Sequence, residues 1–192
     1  MLQEITGSLG QAATPYYLYD THLLAETLAA IKQETAGHEG YHVHYAVKAC
    51  SNPTVLRQIS SAGFGADCVS GGEIRMCLEN GFPASEIVFA GVGKADWEIE
   101  LAIEAGIQCF NVESVPELEV IAEIAERMGK VANVSFRINP DVKAHTHAGI
   151  TTGRAENKFG IAKEQMLADL EERRKASIEE LEEAEAEMEA AE

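Results

Sequence analysis

Positive charge is scarce in this sequence: 15 lysines and arginines face 32 aspartates and glutamates across 192 residues, a net charge of −17. A surface of that sign repels phosphate backbones and anionic lipid, which argues against nucleic-acid and membrane roles. Long apolar runs are missing as well. No segment approaches the roughly 18 residues that a membrane-spanning helix needs. The opening Met1-Leu2-Gln3-Glu4 has neither the basic start nor the apolar stretch of a secretory signal. These absences predict a cytoplasmic chain. Cysteines are few (Cys50, Cys68, Cys77 and Cys109), with no C-x-x-C pair and no zinc-type spacing with histidine. In a reducing compartment they read as free thiols.

What is present is ordinary globular material, 46% hydrophobic and 24% charged. The acid is unevenly placed. Residues 163–192 hold 12 acids against 4 bases, whereas residues 1–162 hold 20 against 11. From Glu171 to Glu192 there is no glycine, proline or aromatic residue, and ten glutamates and five alanines fill most positions. Both types favour helix. Leu167, Leu170, Ile178, Leu181 and Met188 give only a thin apolar seam. The segment 163–192 is therefore predicted to be a solvated acidic helical tail, unlike what precedes it.

Residues 1–162 alternate short apolar runs with helical stretches. Strands are predicted over 42–47, 65–69, 87–90, 107–112 and 131–138, and helices over 52–62, 70–80, 95–105 and 114–128. An irregular stretch follows from Asn139 to about Gly160. Asn52-Pro53 and Ser114 with Glu117 are helix-start signals; Gly81, Gly106 and Gly129 are stops. Repeated strand–helix units argue for a parallel sheet with helical crossovers. Side-chain parity favours one architecture. Val43, Tyr45 and Val47 share a strand face opposite His44, Ala46 and Lys48; Val134 and Phe136 oppose Asn133, Ser135 and Arg137. One bulky apolar face and one small or polar face suit a barrel wall. A sheet sandwiched between helices prefers apolar residues on both. The predicted fold is α/β: a partial (β/α)8 barrel of about five strand–helix units over 1–162, plus the acidic helix.

Lys48 falls at the end of the first strand on its polar face, where barrels carry their active sites. A lysine withdrawn from water there becomes a usable amine nucleophile, as a carbonyl cofactor requires; a lysine reaching to solvent would do nothing. Asp67, near the end of the second strand, either hydrogen-bonds a cofactor or holds Lys48. Glu73 is a second acid there, or simply a first-turn residue favoured by the helix dipole. Ser70-Gly71-Gly72 allows close backbone approach at a helix start. Gly91-Val92-Gly93-Lys94 mimics a phosphate loop but lacks its first glycine and its hydroxyl residue. The pairs His42/His44 and His145/His147 have no third ligand in view, so no metal is expected. Arg137, on the inner face, needs a partner, either a structural ion pair or an anion or cofactor contact.

Taken together, these segments resemble the fold-type III pyridoxal-phosphate-dependent decarboxylases. His44 to Asn52 is similar to their cofactor-lysine strand, and Gly65 to Glu73 to their second strand. Arg137 to Val142, His145, Thr151-Thr152-Gly153 and Asn157 to Ile161 resemble the diaminopimelate decarboxylases within that group. The resemblance implies pyridoxal 5'-phosphate held covalently by Lys48, with Asp67 beside that lysine and the ring hydroxyl, and Arg137 near the same site. It implies a small amino-acid substrate and removal of CO2 from meso-2,6-diaminopimelate to give L-lysine in lysine biosynthesis. Cys50 departs from the family's usual asparagine. Residues 14–20 resemble a strand that the family pairs within a later β-domain. The barrel's last three strands, with a ring-stacking histidine, a glycine-rich phosphate loop and a glutamate for the pyridine nitrogen, have no counterpart in 163–192. The expectation is a chain inactive alone, completed by a homodimer mate or another chain; the contrasting reading is a non-catalytic half-barrel scaffold, truncated or engineered.

Overall fold

The computed structural model describes residues 15–139, 160–162, 166–168, 171 and 174–175. The chain divides into two compact units, Met1–Tyr41 and His42–Glu192.

In the first unit Asp20 starts helix α1 (Thr21–Thr35): its carboxylate accepts from the N–H groups of His22 and Leu23, both at 3.0 Å. An aspartate there satisfies donors that no helical carbonyl can reach. This helix is not among the expected elements. Its signal is an N-cap aspartate followed by Leu24, Leu28 and Ile31 at helical spacing.

In the second unit five strands alternate with helices: β1 (His44–Ala46), α2 (Pro53–Ser61), β2 (Gly65–Cys68), α3 (Gly71–Glu79), β3 (Ile87–Phe89), α4 (Asp96–Ala105), β4 (Cys109–Val112), α5 (Val115–Met128) and β5 (Val134–Phe136). The strands form one parallel sheet in the order β1-β2-β3-β4-β5. Each new strand joins beside the last, with no reversal. A barrel wall is laid that way, whereas a doubly wound sheet changes direction at a switch point. The partial-barrel expectation holds.

Register sorts the side chains. Ala46 pairs with Asp67, Asp67 with Val88, Val88 with Cys109, and Asn111 with Ser135, so these residues share one small and polar face. The opposite face carries Ala66, Cys68, Ile87, Phe89, Phe110 and Val112, all buried. Phe89 and Phe110 meet with ring centroids 6.0 Å apart. From the helices, Ile74, Ile99, Ala102, Ile121 and Ile124 are buried. Burying each large apolar side chain stabilises the fold by about 1.5–3 kcal/mol. The core therefore lies between sheet and helices, leaving the polar face to form a site.

Two strand ends differ from expectation. β1 stops at Ala46, and Val47–Ala49 form a 3-10 turn. The Cys50 N–H donates to the Val47 carbonyl and the Tyr45 hydroxyl donates to the Cys50 carbonyl, which curls the chain out of the sheet. The last strand breaks at Arg137: its N–H donates to Val112, but its carbonyl accepts from Ile161. Beyond it β6 (Ile138–Asn139) pairs in parallel with β7 (Ile161–Ala162), at the two margins of the stretch that reads as irregular. All four cysteines are free thiols. Among the described residues no helix is long and apolar enough to cross a membrane. Within the expected acidic helical tail 163–192, residues 166–168, Glu171, Arg174 and Lys175 are helical; the rest of that segment lies outside the described residues, as do His145, His147, Thr151-Thr152-Gly153 and Asn157 to Phe159.

Candidate functional site

A cleft of about 490 Å³ opens at the C-terminal ends of the strands, lined among others by Lys48, Asp67, Asn111, Glu113, Ser135 and Arg137. The three residues expected from the sequence thus line one cavity although β1, β2 and β5 supply them separately. Lys48 sits in the turn after β1 and is exposed, so of the two readings its spacing allows it is the one that reaches to solvent. Among the described residues β1 pairs only with β2, and no strand lies on its other side beside Lys48.

Asp67 is half-buried on the polar face, and its Oδ1 atom is buried without a hydrogen-bond partner. Burial pushes its carboxyl above the ordinary aspartate range; the positive charges of Lys48, His44 and Arg137 oppose that shift. An orphaned carboxylate oxygen in a cleft is costly to the fold. It also fits a ligand that brings a donor. An amine, an unpartnered carboxylate and a guanidinium together suit an anionic aldehyde-bearing ring such as pyridoxal phosphate.

Arg137 has a structural partner that the sequence reading missed. Its Nη1 donates to Glu113 Oε1 at 2.9 Å, and the Glu113 side chain is only 3% exposed. Strand parity carries the signal: with Asn111 facing the cleft and Val112 the core, Glu113 turns back to the cleft.

At the start of α3, Gly71 N–H donates to Glu98 Oε1 at 2.7 Å, Glu73 N–H donates to Ser70 Oγ at 3.2 Å, and Glu73 Oε2 accepts from Val69 N–H at 2.7 Å. These three amides are consumed within the fold. Gly71 is needed instead for packing, since a Cβ there would lie 2.8 Å from the Trp97 ring. Glu73 is thus a capping acid. Lys94 likewise has a structural task. Its ammonium is 1% exposed and donates to the carbonyls of Gly91 at 2.8 Å and Asn111 at 3.0 Å and to Glu117. It ties the loop after β3 to β4 and α5. His44 Nε2 lies 2.8 Å from Gln108 Oε1, and His42 faces Glu86. Among the described residues no group of three metal-ligating side chains occurs.

The sequence matches the family model of the pyridoxal-dependent decarboxylase, pyridoxal binding domain, over residues 23–181. It is 67% identical over 153 residues to diaminopimelate decarboxylase of Bacteroides thetaiotaomicron, covering 80% of this chain and 40% of that one. It is 47% identical over 152 residues to the Haemophilus influenzae diaminopimelate decarboxylase, covering 79% of this chain and 36% of that one. Among solved structures, diaminopimelate decarboxylase from Helicobacter pylori complexed with L-lysine superposes with a TM-score of 0.78 at 40% identity, covering 85% of this chain and 41% of that one. A lysine/ornithine decarboxylase from Vibrio vulnificus complexed with cadaverine, with a TM-score of 0.70 at 23% identity over 91% of this chain and 42% of that one, shares the fold. The chain spans about 40% of the length of the curated relatives it matches.

Proposed function

The chain belongs to the pyridoxal-dependent decarboxylases, and from that premise we propose that it is the cofactor-holding part of a diaminopimelate decarboxylase. The reaction proposed is the conversion of meso-2,6-diaminopimelate to L-lysine and CO2. The observation that carries the reading is the convergence of Lys48, Asp67 and Arg137 on one cleft at the strand ends. The 67% identity to a diaminopimelate decarboxylase and the L-lysine in the Helicobacter pylori structure support the substrate class.

Bound pyridoxal phosphate supplies an electron sink for the electron pair left when a carboxylate departs as CO2. The protein's own contributions follow from its side chains. Lys48 supplies the amine that holds the cofactor covalently. Asp67 presents an acceptor oxygen to a donor of the bound ring and contributes negative charge beside Lys48. Arg137 contributes positive charge to the same cleft. No phosphate site is assigned to the start of α3, where the Gly71 and Glu73 amides already donate within the fold. The reading carries with it a cytoplasmic location and a homodimer mate or complementing chain.

The test is a titration with pyridoxal phosphate followed by absorbance at the blue edge of the visible range. The expected result is a saturable band that Lys48→Ala abolishes and that meso-diaminopimelate or L-lysine perturbs. A band insensitive to Lys48→Ala, or none, overturns the reading in favour of a non-catalytic half-barrel.

A further inference from the structure

Glu113 sits just beyond β4 and uses both carboxylate oxygens. Oε1 accepts from Arg137 Nη1 at 2.9 Å, and Oε2 accepts from the Gly160 N–H at 3.1 Å. Its own N–H donates to Glu117 Oε2 at 2.9 Å, and Glu117 is in turn held by Lys94. The carboxylate is therefore anchored from behind by the start of α5 and grips two points in front. Gly160 has a positive φ of 79° and approaches Arg137 so closely that a Cβ would lie 2.8 Å from the Arg137 carbonyl. The Arg137 side chain is 43% exposed. An arginine so open to water gains rotamer freedom by swinging outward, unless something holds it.

We propose that Glu113 is a positioning residue, which keeps the Arg137 guanidinium over the cleft wall shared with Asp67 and clips the Gly160 backbone alongside it. The inference rests on the cofactor reading of Lys48, Asp67 and Arg137. A buried carboxylate in a charge-assisted bond with arginine fixes both distance and direction, which a lone rim arginine lacks. Around Asp67 the charged and titratable groups are Lys48 and His44 from the β1 side, Cys68 and Glu73 along its own segment, Cys109 and Glu113 from β4 and Arg137 from β5; β3 supplies none. Of these, Lys48, His44 and Arg137 favour the Asp67 carboxylate. Moving Arg137 away thus weakens one named attraction.

The experiment follows the Asp67 carboxyl by carbon-13 NMR titration in the cofactor-free chain, comparing wild type with Glu113→Gln, Arg137→Gln and the double variant. Glutamine keeps the size of Glu113 but loses its charge and one acceptor. Glu113→Gln also removes a negative charge, which alone lowers the Asp67 midpoint; its effect in the Arg137→Gln background measures that direct part. Arg137→Gln is expected to raise the midpoint, and Glu113→Gln in the wild-type background is expected to lie about half a unit or more above its effect in the Arg137→Gln background, the scale of a single nearby charge. A Glu113→Gln effect that is the same in both backgrounds, or more negative in wild type, overturns the proposal. If circular dichroism shows that Glu113→Gln does not fold, Glu113→Asp replaces it, with a rise expected and an unmoved midpoint overturning. A parallel pyridoxal phosphate titration separates the two claims. Absence of Lys48-dependent absorbance in wild type sinks the cofactor reading, while the Asp67 titration still judges Glu113.

Discussion

At Asp67 the fold carries a half-buried carboxyl with a buried oxygen that has no hydrogen-bond partner among the described residues. Its folded-state pKa is raised, chiefly by burial. A group raised in this way favours the folded state below its unfolded pKa, and that contribution is lost as pH rises through the folded value. At neutral pH the wild-type chain therefore bears the cost of a desolvated charge. Asp67→Asn should raise the thermal midpoint at pH 7 by a few degrees, and the gain should shrink as pH falls below the ordinary carboxylate range; thermal melts across pH check this. A lower midpoint in the variant at pH 7 would mean that attraction to Lys48, His44 and Arg137 outweighs burial. Among the cysteines, Cys68 and Cys77 are fully buried with sulfurs 3.7 Å apart, and the Cys68 thiol is pushed far up by its hydrogen bond to Cys77 and by burial. Burial also raises the Cys109 thiol. Thiol labelling under native conditions should modify Cys50 first and spare Cys68 and Cys77 until unfolding. Peptide mapping that finds early label on Cys77 would contradict this packing.

At the level of elements, the strand–helix alternation was readable because the apolar faces are strict and the helix ends carry their own punctuation. Asn52-Pro53, Ser114 with Glu117, Gly106 and Gly129 stand where the helices begin and end. What escaped reading depends on distant partners. The break at Arg137 arises because Ile161, far along the chain, takes its carbonyl. The GVGK segment reads as a failed phosphate loop, while the task of Lys94, joining three carbonyl or carboxylate oxygens from separate elements, is invisible without tertiary structure. Gly65 is a similar case, since a Cβ there would lie 2.5 Å from the His44 ring and 2.6 Å from the Glu86 carbonyl. Two stability measurements follow. Lys94→Ala removes a fully buried cation from the largely covered Glu117 and should cost about 3 kcal/mol in urea unfolding. Gly65→Ala should cost about 1–3 kcal/mol through overpacking against a backbone oxygen. Near-wild-type unfolding of either variant would show that the rim of the sheet is looser than the geometry implies.

For the whole molecule, the gathering of Lys48, Asp67 and Arg137 on one cleft was legible because all three fall at or just beyond the C-terminal ends of strands in one parallel sheet. Glu113 was legible by strand parity but was passed over for the capping pair that follows it. The five-stranded sheet has β1 and β5 as its edges, and Lys48 on the β1 side stands open to water. Water around Lys48 screens the charges that would orient a cofactor. Binding by this chain alone is thus expected to be weak, and CO2 release from meso-diaminopimelate is expected to stay below about 1 per second, the low end of ordinary enzymes. The covalent role of Lys48 needs no turnover to be tested. The direct measurement incubates the chain with pyridoxal phosphate, reduces with borohydride, and locates the added mass by peptide mapping. The label is expected on the peptide containing Lys48 and is expected to disappear in Lys48→Ala. Label spread over surface lysines with Lys48 unmodified would contradict it.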